Sequence, residues 1–229
     1  MQAETYAGLL SDGLLSLCQN EPAVDNLVAP RREEIISLLL RYIAEIELYN
    51  PALSLVGTND RRELILRHIL DSLAPLGIIC RKCDIRQIAD IGSGAGLPGI
   101  PLAIALPESR FTLIERMGRR AGFLRNVLAT LGLANVFVEE AEMEKVVPGR
   151  FSLVTFRAFR PLLPKIYKKL ARLCADGGVL AAYKGRRCKT ESEMAALENV
   201  LPALAGRWEL LPCPVPMLDE ERHLLLIRQ

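Results

Sequence analysis

Residues 90–101 combine an acid with a run of glycines in a pattern that binds small polar ligands. Asp90 comes first, and four closely spaced glycines follow it, namely Gly92, Gly94, Gly96 and Gly99. Glycines let the backbone turn sharply and approach a ligand where no side chain would fit. The apolar run 85–88 has the character of a strand, and Pro98 suits the first turn of a following helix. This order predicts a nucleotide-binding turn at the carboxyl end of a parallel sheet.

This run fits two cofactor motifs, which imply different enzymes. Residues 94–99 match G-x-G-x-x-G, the dinucleotide pattern in which backbone amides and a helix N-terminus hold a pyrophosphate. Residues 90–96 match D-x-G-x-G-x-G, the first motif of S-adenosylmethionine-dependent methyltransferases, whose acid can bind the cofactor's ammonium directly or through water. A dinucleotide-binding strand usually enters its first glycine from apolar residues, whereas Gly92 and Ser93 intervene here. We favour the methyltransferase motif and keep an NAD-dependent oxidoreductase, or a non-catalytic nucleotide- or RNA-binding module, as alternatives.

Glu115 is the next informative residue, because it ends the second predicted strand, 111–115. An acid at this place can accept hydrogen bonds from both ribose hydroxyls of an adenosine-containing cofactor, whether a methyl donor or NAD. The alternative is a surface acid paired with Arg119. Glu115 therefore supports nucleotide binding without separating the two motifs.

Composition limits the alternatives further. The chain has 229 residues, half of them hydrophobic, which is enough for one full core and a small appendage. Its net charge of +2 argues against a generally basic nucleic-acid-binding surface but leaves room for a local patch. Residues 1–10 lack the basic start and apolar stretch of a secretion signal, and no run approaches the ~20 apolar residues of a membrane helix, so we expect neither. Six cysteines then indicate a reduced cytoplasm, and we interpret the Cys80 and Cys83 pair as part of a linker, with no metal site.

The elements that must position these residues follow from hydrophobic periodicity. Amphipathic helices are predicted at 5–18, at 35–49, and from a cap at Asp60 to Leu73. From residue 85 strands and helices alternate, with strands at 85–88, 111–115, 135–139, 151–156 and 179–183, a helix at 118–131, and two final strands within 208–227. The prediction is an α/β fold with a mostly parallel, seven-stranded, Rossmann-like sheet of the class I methyltransferase type. A helical cap, 1–77, precedes the cofactor-binding domain, 78–229.

Basic residues follow the carboxyl ends of three predicted strands. They are Arg116, Arg119, Arg120 and Arg125 after the second strand, Arg157 and Arg160 after the fourth, and Lys184, Arg186, Arg187 and Lys189 after the fifth. Parallel strands collect such residues on one edge of the sheet, so we predict a phosphate-binding rim. Another basic group is spaced around a helix, and we expect a solvated face there, formed by Lys165, Lys168, Lys169 and Arg172.

Two histidines and one tryptophan complete the candidates. His68 lies on the helix that leads toward the sheet, and its pattern alone indicates a partly buried residue of a helix face. His223 precedes a run of leucines and is interpreted as structural. Trp208 is expected in the core, because no aromatic ladder suggests base stacking.

Several short segments together resemble one family, RsmG, also called GidB. These segments are 67–72, 90–101, 111–115, 118–124, 157–159, 183–185 and 221–224, and they occur in the order expected of that family. The family comprises bacterial methyltransferases that place a methyl group on N7 of a guanosine in 16S ribosomal RNA of the small subunit. The resemblance covers roughly residues 35–229 and is more specific than any single motif.

The resemblance implies a set of site residues. Cofactor contacts would fall on Gly92, Leu97, Met143, Glu144 and Arg157, with Gly94, Gly96 and Glu115 completing the pocket and Met143 and Glu144 near the adenine. Substrate-positioning candidates are His68, Arg119, Lys184 and Arg222. The chain departs from the family pattern at a few positions, namely Glu142, Glu115, Arg119 and the segment Ser54-Leu55-Val56.

The implied chemistry needs little from the protein's acids and bases. Guanine N7 carries an in-plane lone pair and no proton, so it can attack a sulfonium methyl without a general base. The enzyme must align N7, the methyl carbon and sulfur, a proximity effect of roughly up to 10 kcal/mol. It must also draw the base out of its stack. Arginines should hold O6, neighbouring bases or phosphates, since one bonded to N7 would block the nucleophile. The expected partner is 16S rRNA or the small subunit, with no membrane and no stable protein partner.

Overall fold

The computed structural model describes residues 5–19, 21–157 and 161–229. Within them seven strands form one sheet in the order β3-β2-β1-β4-β5-β7-β6. The strands are β1 Gln87–Ile91, β2 Arg110–Ile114, β3 Val136–Glu139, β4 Phe151–Phe156, β5 Cys174–Lys184, β6 Trp208–Pro212 and β7 His223–Arg228. The strands from β1 to β5 pair in parallel, and β7 runs antiparallel to both β5 and β6. The predicted layout of five parallel units closed by a terminal strand pair is confirmed.

Helices cover both faces of the sheet. They are α1 Tyr6–Cys18, α2 Pro22–Val28, α3 Arg32–Leu53, α4 Arg61–Leu64, α5 Asp71–Leu73, α6 Leu76–Lys82, α7 Gly99–Ala105, α8 Gly118–Leu131, α9 Pro164–Ala171 and α10 Arg187–Val200. Alternate residues of β1 serve opposite faces: Ile88 joins the hydrophobic cluster that includes α3, α7 and α8, and Ala89 and Ile91 join the cluster that includes α9 and α10. The sheet is therefore buried on both sides.

The amino-terminal helices share a core with the rest of the chain. One cluster of buried apolar side chains runs from Leu9 to Leu226 and contains residues of α1, α3, α7 and α8. The side chain of Asp60 caps α4 by accepting the N–H of Glu63 at 2.7 Å, as predicted. A π-helical segment, Ile65–Leu70, connects α4 to α5, so the predicted helix continues to Leu73 with a local change of pitch. Such segments often occur at functional sites.

Several element predictions need correction. β1 begins two residues later than the apolar run 85–88, so Asp90 lies inside the strand. β5 begins at Cys174, because Cys174 pairs with Phe151 before a register shift accommodates residues 176–178. Pro98 immediately precedes α7 and does not lie in its first turn.

The cysteine pair near residue 80 does not form a linker. Cys80 belongs to α6, Cys83 follows that helix directly, and both are free thiols. Burial raises the pKa of the Cys83 thiol to about 12. Among the described residues we find no helix with the length and apolar character needed to cross a membrane.

Candidate active site

The glycine turn leaves the carboxyl end of β1 with its backbone in the left-handed region. The φ angles are +68° at Gly92, +56° at Gly94 and +91° at Gly96. A Cβ atom at Gly96 would lie 2.4 Å from Cδ1 of Ile100, a separation that real Cβ contacts do not show. Backbone conformation and close packing thus both require glycine at this position.

A cleft of about 1030 Å³ opens beside this turn. It is formed by the turn, the end of β2, the loop before α9 and the loop 141–144, and its lining includes Gly92, Gly94, Leu97, Glu115, Met143, Glu144 and Arg157. Gly96 and Asp90 lie behind this surface and do not line it. The volume is at the upper end of the range for small-molecule sites.

Glu115 faces the cleft while its carboxylate braces the turn. One carboxylate oxygen accepts the N–H of Gly94 at 3.0 Å, and the other accepts the N–H of Met117 at 2.9 Å. The residue is 4 % exposed. Each oxygen has a second lone pair, so the carboxylate can still accept hydrogen bonds from a ligand. The alternative of a surface acid paired with Arg119 is wrong, since Arg119 donates instead to the carbonyl of Ala52 at 3.3 Å.

Asp90 lies beneath the turn and is fully buried. Its Oδ2 accepts hydrogen bonds from the Ser93 hydroxyl at 2.8 Å and from the Gly99 N–H at 3.1 Å. Its Oδ1 has no hydrogen-bond partner among the described residues. Burial raises the pKa of this carboxyl to about 6. The side chain therefore holds the two ends of the turn and keeps one acceptor open.

The loop that carries Met143 and Glu144 is held from outside the cleft. Arg172, at the end of α9, donates from one Nη2 to the carbonyls of Met143 at 2.9 Å, Glu144 at 2.6 Å and Val146 at 2.8 Å. The carboxylate of Glu144 pairs with Lys169. The predicted solvated face is thus wrong for Arg172, whereas the side chain of Lys169 is 40 % exposed and forms a surface ion pair. The contacts of Arg172 could not be predicted from the sequence, because its partners are backbone carbonyl groups, which do not depend on residue type.

A second, smaller cavity of about 130 Å³ adjoins the first. Its lining includes Lys184, Cys213 and Arg222, and Arg157 lines both cavities. Lys184 pairs with Glu193 at 2.7 Å. Asp71, which was not among the predicted site residues, also lines this cavity.

Asp71 brings two arginines together. Its Oδ2 accepts Nη1 of Arg157 at 3.0 Å, and its Oδ1 accepts Nε of Arg222 at 2.8 Å. Arg157 also lies 3.0 Å from Nδ1 of His68. Burial and the positive charge of Arg157 lower the pKa of His68 to about 4, so its ring is neutral near pH 7 and accepts the arginine N–H. His68 lines neither cavity, and its contact with Arg157 is what links it to them.

The predicted phosphate-binding rim is only partly assembled. Arg116 and Arg120 line the large cleft, and Arg120 donates to the carbonyl of Ser54 at 3.2 Å. Arg125 is paired with Glu140 and Arg187 with Glu191, so carboxylates neutralise part of the rim. Arg186 and Lys189 are exposed, and Arg160 lies outside the described residues.

Neither of the remaining two candidates lines the large cleft. His223 is buried, its Nδ1 lies 2.7 Å from the carbonyl oxygen of Gly185, and it also lines the small cavity. Trp208 packs against the second hydrophobic cluster and donates its indole N–H to Glu198 at 2.6 Å.

The donor set of the cleft fits a methyl-bearing sulfonium nucleoside. The cleft offers an acid at the end of β2 for ribose hydroxyls, a glycine turn that admits close backbone approach, and apolar side chains at Leu97 and Met143. Similar folds occur in solved structures: a protein described as a predicted O-methyltransferase from Agrobacterium tumefaciens has a TM-score of 0.53 and 21 % identity, covering 70 % of this chain and 80 % of that one. A tRNA (m1A58) methyltransferase from Aquifex aeolicus has a TM-score of 0.52 and 14 % identity, covering 69 % and 68 %. The fold is that of the class I methyltransferases, and the cleft fits S-adenosylmethionine.

Sequence comparison narrows this class to one family. The family model GidB, described as rRNA small subunit methyltransferase G, matches residues 35–205. A protein of that name from Treponema pallidum is 40 % identical over 232 residues, covering 99 % of this chain and 96 % of the relative. A relative of the same name from Stenotrophomonas maltophilia is 37 % identical over 97 % of this chain and 95 % of its own length. The chain belongs to the GidB family, which confirms the resemblance and supports the methyltransferase motif over the dinucleotide one.

Proposed function

We propose that this chain uses S-adenosylmethionine to methylate N7 of a guanosine in 16S ribosomal RNA of the small subunit. The observation that carries the proposal is the cleft beside the glycine turn, with the Glu115 carboxylate at its edge, in a chain of the GidB family. The relatives' printed names, which specify the small-subunit rRNA, support the substrate class.

The bound cofactor would supply an electrophilic methyl group on a sulfonium. The residues that would hold it share the cleft or support its wall, and they are Asp90, Gly92, Gly94, Gly96, Leu97, Glu115, Met143, Glu144 and Arg157. Glu115 would accept hydrogen bonds from ribose hydroxyls, and Met143 and Glu144 would border the adenine. The open Oδ1 of Asp90 would supply negative charge for the ammonium group, through a water molecule since the residue does not line the cleft.

The acceptor side needs positioning and no general base, because guanine N7 has a free lone pair. Lys184 and Arg222 line the small cavity and can donate to O6, which leaves N7 unoccupied. His68 acts indirectly, by holding Arg157. Arg119 lines neither cavity, and we assign it to the RNA backbone near the Ala52 carbonyl.

The remaining assignments concern organisation and location. We infer a helical cap, residues 1–77, that completes the rim beside the methyltransferase domain, residues 78–229. The partner is 16S rRNA or the small ribosomal subunit, and no stable protein partner is required for the chemistry. A cytoplasmic location follows from that substrate.

Transfer of a labelled methyl group tests the proposal. Purified protein is incubated with labelled S-adenosylmethionine and either small-subunit or large-subunit rRNA from cells that lack this gene. Label should enter the small-subunit rRNA alone, and S-adenosylhomocysteine should inhibit the transfer. Absence of label from both intact subunits and naked small-subunit rRNA would reject the proposal.

A further inference from the structure

One buried carboxylate ties together two arginines that are far apart in the chain. The side chain of Asp71 is only 9 % exposed, and each of its two oxygens accepts a hydrogen bond from a different guanidinium, that of Arg157 or that of Arg222. Arg157 follows β4, Arg222 precedes β7, and Asp71 begins α5. A single side chain thus fixes the relative position of three elements.

The two arginines line the small cavity, and one of them also borders the large cleft. Arg157 lines both the large cleft and the small cavity, and Arg222 lines the small cavity. Their side chains are 15 % and 22 % exposed. A displacement of either guanidinium would therefore change the shape of the small cavity, and a displacement of Arg157 would also change the cofactor cleft.

Electrostatics makes Asp71 difficult to replace. Arg157 also donates from Nη2 to the neutral ring of His68 and from Nη1 to the carbonyl of Arg67, 3.5 Å away, but neither acceptor carries a negative charge. Glu220 pairs with Arg222 at 2.8 Å on the outer side. Without the Asp71 carboxylate, two partly buried cations would face each other with no anion between them, a costly arrangement.

We propose that Asp71 is a positioning residue that holds Arg157 and Arg222 so that the small cavity receives the acceptor guanine beside the cofactor. This inference rests on the proposed function. Asp71 itself touches neither reacting group. It sets the orientation of the arginine that borders the cofactor and of the arginine that is placed to donate to O6.

Asp71→Asn is the variant that tests this role. It keeps the size of the side chain, removes the charge and places an amide N–H₂ toward a guanidinium. We expect the variant to bind S-adenosylhomocysteine several-fold more weakly, through Arg157. We also expect kcat for rRNA methylation to fall by roughly 10- to 100-fold at saturating cofactor. The matched control is Asp84→Asn, which removes an exposed, arginine-paired carboxylate before β1 and should leave both values unchanged.

A double-mutant cycle separates positioning from general destabilisation. Arg222→Gln alone should lower kcat and leave the Kd of S-adenosylhomocysteine unchanged. The fall in kcat caused by Asp71→Asn should be smaller in the Arg222→Gln background than in the wild type. A purely structural role would instead give additive losses and a smaller active fraction, with wild-type Kd for the folded molecules, and would overturn the inference.

A second variant and a binding measurement cover two further outcomes of this test. If Asp71→Asn does not fold, Asp71→Glu, which keeps the charge but moves it by one methylene, should fold and show the same two defects. Wild-type kcat and Kd in either folded variant would overturn the inference. If the wild-type protein transfers no methyl group to rRNA, the proposed function fails, while the Kd of S-adenosylhomocysteine still reports on the link between Asp71 and Arg157.

Discussion

The hydroxyl of Tyr42 donates a hydrogen bond to the carbonyl oxygen of Ala95 at 2.7 Å. Tyr42 lies on α3 and is fully buried, and Ala95 lies within the glycine turn. Burial raises the pKa of this hydroxyl well above its usual value, so the group remains a donor. A helix of the amino-terminal part of the chain thus supports the glycine turn directly.

Tyr42→Phe removes this hydrogen bond and leaves a buried carbonyl without a partner. We expect the free energy of unfolding to fall by about 1–2 kcal/mol and S-adenosylhomocysteine to bind more weakly. Urea titration and calorimetry measure the two effects. Tyr49→Phe is the control, because the Tyr49 hydroxyl makes no hydrogen bond within the described chain and its ring packs on Phe123. Equal effects of the two variants would contradict the role of Tyr42.

Gly96→Ala tests the close packing of the turn. The new methyl group would meet Ile100 in a backbone with φ of +91°, so we expect a loss of roughly 1–3 kcal/mol in unfolding free energy and weaker cofactor binding. Gly122→Ala is the control, since Gly122 lies inside α8 with no atom within 4 Å of an added Cβ. That change should stabilise the protein by about 0.5–1 kcal/mol. A neutral Gly96→Ala variant would count against the turn geometry.

Asp90→Asn tests the buried carboxyl through pH. Burial raises the pKa of Asp90 from 3.8 to about 6, so the folded chain binds this proton more tightly than the unfolded chain. The protonated carboxyl therefore contributes up to about 3 kcal/mol to the free energy of unfolding. This contribution is complete below about pH 4 and is lost as pH rises through about 6. Relative to the wild type, Asp90→Asn should therefore gain unfolding free energy as pH rises across that window. Urea titrations at several pH values measure this.

His68 serves as a control for the same experiment, because its contribution to the free energy of unfolding should change with pH in the opposite direction. Its pKa is lowered from 6.5 to about 4, so stability from the neutral ring is present above about pH 6.5 and lost as pH falls through about 4. Relative to the wild type, His68→Gln should improve as pH falls, whereas Asp90→Asn improves as pH rises. Parallel profiles for the two variants would contradict their placement.

Arg172→Ala tests the support of the loop that borders the adenine. Three carbonyls would lose their shared donor, so we expect the Kd of S-adenosylmethionine to rise roughly tenfold, or about 1.4 kcal/mol. At saturating cofactor, kcat should change little, because the acceptor cavity is untouched. Lys168→Ala, an exposed lysine of the same helix, is the control. An unchanged Kd in Arg172→Ala would show that the loop does not depend on this arginine.

The ends of helices were predicted well where a neighbouring residue in the sequence determines them. The helix predicted at 118–131 ends where Gly132 adopts φ of +73°, and the predicted cap Asp60 caps α4 through its own side chain, so both boundaries have local causes. The alternation of strands and helices correctly indicated a parallel sheet. β5 was predicted too short, at 179–183: it begins at Cys174, and the glycines at 177 and 178 lie at a register shift inside the strand.

The site was less predictable because its contacts are long-range. Asp71 pairs with residues 86 and 151 positions away, and nothing in the sequence near Asp71 indicates those partners. Arg172 was missed for a related reason, since it contacts backbone carbonyls. Glu115 was predicted to face the ribose, but its hydrogen bonds to Gly94 and Met117 depend on how β2 lies beside the turn.

The position of the methyl group on the rRNA is the most direct test of the proposed reaction. Small-subunit rRNA is methylated by the wild-type protein, and the modified nucleotide is located by strand cleavage at N7-methylguanosine and identified by mass spectrometry of the nucleosides. We predict a single guanosine methylated at N7. A methyl group on an exocyclic nitrogen, a ring carbon or a ribose oxygen would contradict it, because the mechanism requires a free in-plane lone pair and no base.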